Sequence, residues 1–102
     1  SGIEIRPSEQ IIHLHGEGNY PRVIFERDPA IVLSRTIGEY ELILQRAGFL
    51  RVHRSHMVNL LHVRKVVRGK VPRLKMSNGD EIDVSERYRD VLFDALNVVR
   101  RR

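Results

Sequence analysis

The sequence predicts a mainly β domain with two short helices, and three observations carry that expectation. Apolar and polar residues alternate over much of the chain, as in Ile12-His13-Leu14-His15, which is the period of a half-buried strand. Only two stretches, about 36–47 and about 86–97, change to helical spacing. Turn clusters, Gly16-Glu17-Gly18-Asn19, Asp28-Pro29 and Ser77-Asn78-Gly79, separate the alternating runs and favour reversals of the backbone.

Residues 3–10 are short, polar and broken by Pro7, so 1–9 read as a linker or cloning remnant. Ser1-Gly2 stands where an initiating Met would be, and a piece of a longer protein is expected. Ile11 to His15 alternates, with Ile12 and Leu14 on one side and His13 and His15 on the other. Tyr20 to Glu26 and Ala30 to Arg35 are the next strand candidates. Pro21 has no N–H for a ladder, so its strand is expected on an edge, or starting only after it.

Thr36 and Glu39 have the spacing of a capping box. Ile37, Tyr40, Ile43, Leu44 and Ala47 follow on one helical stripe, and Gly48 suits the left-handed residue that ends a helix. Phe49 to Arg54, Met57 to Leu61 and Val63 to Val67 read as further strands. In the last hairpin a three-residue loop, Ser77-Asn78-Gly79, pairs Leu74 with Ile82, Arg73 with Asp83 and Lys75 with Glu81. A two-residue loop would set Leu74 against Asp83, so the longer loop is expected. Ser85 is placed to cap the second helix, whose stripe is Tyr88, Val91, Leu92, Ala95 and Leu96. Residues 10–97 thus form the domain, and 98–102 a basic tail.

One core is all that 102 residues with 41% apolar content support. There is no cysteine, and no apolar run approaches the roughly 20 residues of a membrane span. A soluble cytoplasmic chain that makes no membrane contact is expected.

The net charge of +5 is unevenly placed. Residues 51–75 carry eight bases (Arg51, Arg54, Arg64, Lys65, Arg68, Lys70, Arg73 and Lys75) and no acid, whereas the remainder has 10 bases against 13 acids. Such localisation points to a polyanion. Enzyme chemistry is not expected: there is no Cys and no GxSxG, and no carboxylate in the basic segment could orient a base for Ser55 beside His53 and His56. Five His without Cys or HExxH spacing read as polar surface residues, so no metal and no cofactor is expected. What remains is Arg51-x-His53-Arg54-Ser55-His56, rich in donors. Arginine can fork to two phosphate oxygens or to the O6 and N7 of guanine.

These residues resemble the LytTR DNA-binding domain, the output module of many bacterial response regulators. The likeness rests on Ile11-Ile12, Gly18-Asn19-Tyr20, Arg35-Thr36-Ile37, Asn78-Gly79-x-x-Ile82-x-Val84-Ser85 and, most specifically, Phe49-x-Arg51-x-His53-Arg54-Ser55 with Val58-Asn59. The resemblance implies an elongated antiparallel β fold without a helix-turn-helix, inserting loops into successive major grooves of double-stranded DNA. It implies base contacts at Asn19, Tyr20, Arg54 and Arg87, and phosphate contacts at Arg51 and Ser55. Arg22, His56 and Tyr88, donors that flank those places, complete the expected phosphate contacts. Pro21 and Glu86 depart from the family pattern beside two of these loops. A second copy on an adjacent half-site, and a receiver or other sensor domain in the full-length protein, are the implied partners. The competing readings are an RNA-binding module, which the six aromatics serve poorly for base stacking, and a basic protein-interaction domain.

Overall fold

A computed structural model describes residues 7–17 and 20–100. In chain order the elements are β1 (Ile11–Glu17), β2 (Tyr20–Phe25), β3 (Ile31–Val32), α1 (Ile37–Arg46), β4 (Phe49–His53), β5 (His56–Asn59), β6 (Val63–Val67), β7 (Arg73–Met76), β8 (Glu81–Asp83) and α2 (Arg89–Arg100). They form two antiparallel sheets, a five-stranded one in the order β3-β2-β1-β5-β4 and a three-stranded one in the order β6-β7-β8. The molecule is elongated, 45 × 30 × 24 Å.

Each face of the large sheet has its own core. Leu14, Val23, Phe49 and Met57 pack with Ile37 of α1 on one side. On the other, Ile12, Val52 and Val58 pack with Leu74, Met76 and Ile82 of the small sheet and with Leu92 and Leu96 of α2. Ile12 and Leu14 therefore serve opposite cores, contrary to simple alternation. A bulge in β1, where the register shifts between Ile11 and His13, adds the residue that turns Ile12 over. A matching irregularity lies between Arg51 and His53 of β4.

The capping box forms as expected. The Thr36 hydroxyl accepts from the Glu39 N–H at 3.4 Å, and the Glu39 carboxylate accepts from the Thr36 N–H at 3.0 Å. That backbone hydrogen bond holds the Glu39 carboxyl below its usual range. Gly48 and Gly79 both have positive φ, +88° and +92°, and the last hairpin has the expected register throughout.

Other expectations need correction. The strand expected over Ala30 to Arg35 shrinks to Ile31–Val32. β2 includes Pro21 and lies between β3 and β1, because the carbonyl of Pro21 faces β3 and accepts from Leu33 at 2.8 Å. The absent N–H faces the same side, one position past the last paired residue. The stripe on α1 is narrower than its spacing suggests: Ile43 is exposed, and only Ile37 is buried. Ser85 makes no side-chain cap; a 3-10 turn, Glu86–Tyr88, precedes α2, and Val91 on the expected stripe is exposed.

Two of the five histidines are interior rather than surface groups. His62 donates from Nε2 to the Glu9 carbonyl and lies 2.7 Å from the Ser77 hydroxyl. His13 lies 2.9 Å from the Asp80 carboxylate, joining β1 to the turn of the last hairpin. Ser8–Gln10, in the segment read as a linker, form a 3-10 turn tied down by the Asn59 side chain, which donates to the carbonyls of Ser8 and Ile11.

Candidate nucleic-acid interface

The strand directions bring three of the expected contact places to one end of the molecule. β4 runs into a tight turn, Arg54-Ser55, that reverses into β5. β1 ends beside it, because His15 pairs with His56 and the Gly16 N–H donates to the Ser55 carbonyl at 2.7 Å. A Cβ on Gly16 would sit 2.8 Å from Cδ1 of Ile37, so a larger residue there has to displace the end of that side chain. On the outer side of β4, the Ser85 N–H donates to the Val52 carbonyl at 2.9 Å. That bond sets the Glu86–Tyr88 turn, with Arg87, next to the β4–β5 turn.

A shallow cleft of about 490 Å³ opens at this end, lined by Gly16, Pro21, Thr36, Ile37, Gly38, Arg51, Arg54 and Ser55. Arg54 and Arg87 are exposed, and Tyr20 is 54% exposed. The Arg87 guanidinium lies 5.5 Å from the centre of the Tyr88 ring, which keeps the side chain near the surface it would read from. Ser55 is half-buried, and its N–H donates to Nδ1 of His53 at 3.0 Å. Asn19 lies outside the described residues.

Arg51 is differently placed from the other arginines. Its Nη1 donates to Glu41 of α1 at 2.9 Å, Nη2 to the Arg54 carbonyl at 2.6 Å and Nε to the His53 carbonyl at 3.3 Å. The side chain is only 16% exposed, and one further hydrogen on each terminal nitrogen is left for an outside acceptor.

The cross-strand registers also align a row on the face toward the small sheet: Arg22 opposite His15, His15 opposite His56, and His56 opposite His53. The His15 and His56 rings meet edge to face at 4.6 Å, and those of His53 and His56 lie 5.1 Å apart. Part of this row lines a groove of about 580 Å³ whose far wall includes Asp80, Glu81 and Asp83. Burial, and then the neighbouring imidazoles of His15, His53 and His13, push His56 down to about 4. It is therefore a neutral donor at neutral pH. Burial also lowers His13 despite Asp80, and the hydrogen bond from His13 lowers Asp80. Both fit a neutral His13 donating from Nε2 to an ionised Asp80. Among the described residues no three metal-ligating side chains converge on one point.

The basic segment divides between the sheets. Arg51 and Arg54 belong to the end just described, whereas Arg64 to Lys75 follow β6 and β7. The partner of Arg51, Glu41, had no signal in the sequence, since a single carboxylate ten residues away on α1 has no spacing that ties it to β4. The acidic wall of the groove was equally silent, because only the folding of the hairpin over β1 brings it there.

The family model for the LytTr DNA-binding domain matches residues 1–97. Among solved structures, the chain superposes with a TM-score of 0.80 on the LytTr DNA-binding domain of a protein described as a methyl-accepting/DNA response regulator from Bacillus cereus. The two are 25% identical, over 89% of this chain and 84% of that one. It is also 32% identical over 60 residues to the heme-containing CO-sensing transcriptional regulator RcoM 1 of Paraburkholderia xenovorans. That match takes in 59% of this chain but only 22% of that protein.

Proposed function

The chain belongs to the LytTr DNA-binding domain family, and from that premise we propose that it recognises specific sequences in double-stranded DNA as the output domain of a bacterial transcription regulator. The observation that carries this reading is the convergence of the end of β1, the start of β2 and the β4–β5 and Glu86–Tyr88 turns at one end, with Arg54 and Arg87 exposed there. Guanidinium groups on short turns can enter successive major grooves and fork to guanine. Arg54, Arg87, Asn19 and Tyr20 are the base-reading residues. Arg22, Ser55, His56 and Tyr88, with the free edge of Arg51, hold phosphate. None of this assigns a catalytic role to the chain.

Residues 10–97 act as the DNA-binding unit of a longer cytoplasmic regulator, joined to a receiver or other sensor domain. The chain spans about a fifth of the RcoM 1 relative, which leaves ample room for one. Two copies on adjacent half-sites complete the arrangement. Among the described residues no helix is long and apolar enough to cross a membrane.

The test is selection of bound sequences from a random duplex pool, followed by titration of the selected duplex, random duplex and single-stranded RNA over a salt series. Arg54→Ala should lose about 1–3 kcal/mol on the selected duplex and accept more bases at one position. Equal weakening on selected and random duplex removes Arg54 from base reading. Equal affinity for every duplex turns the domain into a generic basic surface, and preference for the RNA overturns the reading in favour of an RNA module.

A further inference from the structure

We propose that Glu41 and Arg51 form a bracket that sets the conformation of the Arg54-Ser55 turn, making Glu41 a positioning residue for DNA recognition although it carries the wrong charge for DNA. The inference rests on the DNA-binding reading above.

Two-residue reversals between strands favour turns with positive φ, which suit glycine or asparagine; Arg54 and Ser55 are neither, and neither has positive φ, so the reversal needs contacts from outside the turn to hold it. Those contacts come from Arg51. Its guanidinium lies under the turn and donates to the carbonyls of both His53 and Arg54, the peptide groups on either side of the Arg54 Cα. A fork that grips both carbonyls fixes the direction in which the Arg54 side chain leaves the turn. His53 adds a third tie by accepting from the Ser55 N–H.

The guanidinium needs an anchor, and α1 supplies it. Glu41 accepts from Nη1 at 2.9 Å, and the two side chains are 16% and 27% exposed, so solvent competes only weakly for the pair. α1 is in turn fixed on the sheet by Ile37, which packs against Gly16 of β1. The bracket thus connects α1, β4 and the turn through one planar cation, a geometry that lysine cannot reproduce. Carboxylates repel DNA, and unlike the exposed Glu86 at this end, Glu41 is held at 27% exposure against the Arg51 guanidinium. An anchor for Arg51 accounts for it.

The bracket and a bare phosphate arm predict opposite signs. If Arg51 served only as a phosphate contact, Glu41 would compete with DNA for it, and Glu41→Gln would tighten binding to every duplex. As a bracket, Glu41→Gln loosens the turn: affinity for the selected duplex falls on the order of tenfold, while affinity for random duplex is unchanged or rises. Arg51→Lys should lose the same discrimination, since lysine keeps the charge but not the fork, with some further loss on every duplex because Arg51 also holds phosphate. The double variant should then be little worse than Arg51→Lys alone.

Thermal melting of each variant controls for global unfolding. A direct readout without DNA is the Arg51 side-chain Nε–H resonance, which should be protected from solvent exchange in the unmodified 102-residue chain and lose that protection in Glu41→Gln. Unchanged or tighter binding of the selected duplex by Glu41→Gln overturns the bracket and leaves the DNA reading standing. An Arg51 resonance that exchanges freely in the unmodified chain also overturns it. Failure of the unmodified chain to select any duplex overturns both.

Discussion

Acid should unfold this domain partly through His56, and the size of the effect can be worked out. The ring is partly buried in a row of imidazoles, and its value falls from 6.5 to about 4, first through burial and then through its imidazole neighbours. The groups that face it are His13 and His15 from β1, His53 from β4, Arg22 from β2, and Asp80, Glu81 and Asp83 across the groove. Because the folded value lies below the unfolded one, the unfolded chain takes up the proton first as the pH falls. Stability is therefore complete above pH 6.5 and is lost from there down to about 4. For one fully shielded group with these values, linkage between pH 7 and 5 gives about 2 kcal/mol; the partial exposure of His56 reduces this to about 1 kcal/mol. Urea unfolding followed by circular dichroism at pH 7, 6 and 5, on the native chain and on His56→Gln, measures it. The variant should lose about 1 kcal/mol less over the window; His13, also lowered by burial, adds a loss of the same sign. An identical acid loss in both proteins, or a His56 ring that titrates near 6.5 by NMR, would refute the reasoning.

Asn59 is 1% exposed and bonds to the Ser8 and Ile11 carbonyls and the Leu61 N–H. Asn59→Ala strands all three groups and should lower stability by about 3 kcal/mol in urea unfolding. Gly79 has φ +92°, and a Cβ added there would meet nothing within 4 Å. Gly79→Ala should therefore cost about 1–2 kcal/mol through backbone conformation alone, and Gly79→Asn less. Leu92 is fully buried between α2 and the small sheet, and Leu92→Ala should lose about 2–5 kcal/mol by the same assay.

Most of the secondary structure was legible because its causes are local. The capping box of Thr36 and Glu39, the positive φ of Gly48 and Gly79 and the register of the last hairpin all follow from residues close in sequence. Where the reading failed, a distant contact had intervened. Ile12 changes sides because β1 must serve two cores, and His13 is buried because the last hairpin folds back to put Asp80 against it. Ser85 spends its N–H on Val52, a partner more than thirty residues away. Of the candidate site, the donors themselves could be named from the chain, since an arginine in a turn is visible as such. Glu41 could not, because with Glu39 spent on the capping box it remains a single carboxylate with no local spacing that ties it to a strand ten residues on.

If Arg54 and Arg87 read bases as proposed, the hydrogen bond from Ser85 to Val52 has a further consequence. It lies two residues before Arg54 along one strand and two residues before Arg87 along the other segment. The two arginines therefore branch from a common rigid point on the outer edge of β4, and their spacing is set by short lengths of chain rather than by a flexible loop. Val52 and Val84, both buried in the same core, hold that point in place. Adjacent grooves of a duplex lie a fixed distance apart, so a reader made of separate turns gains specificity only if the turns cannot move independently. Here the packing of the small sheet and α2 against β4 supplies that restraint. Loosening the core at Val52 should accordingly weaken sequence discrimination at both arginines together, even in a variant that remains folded.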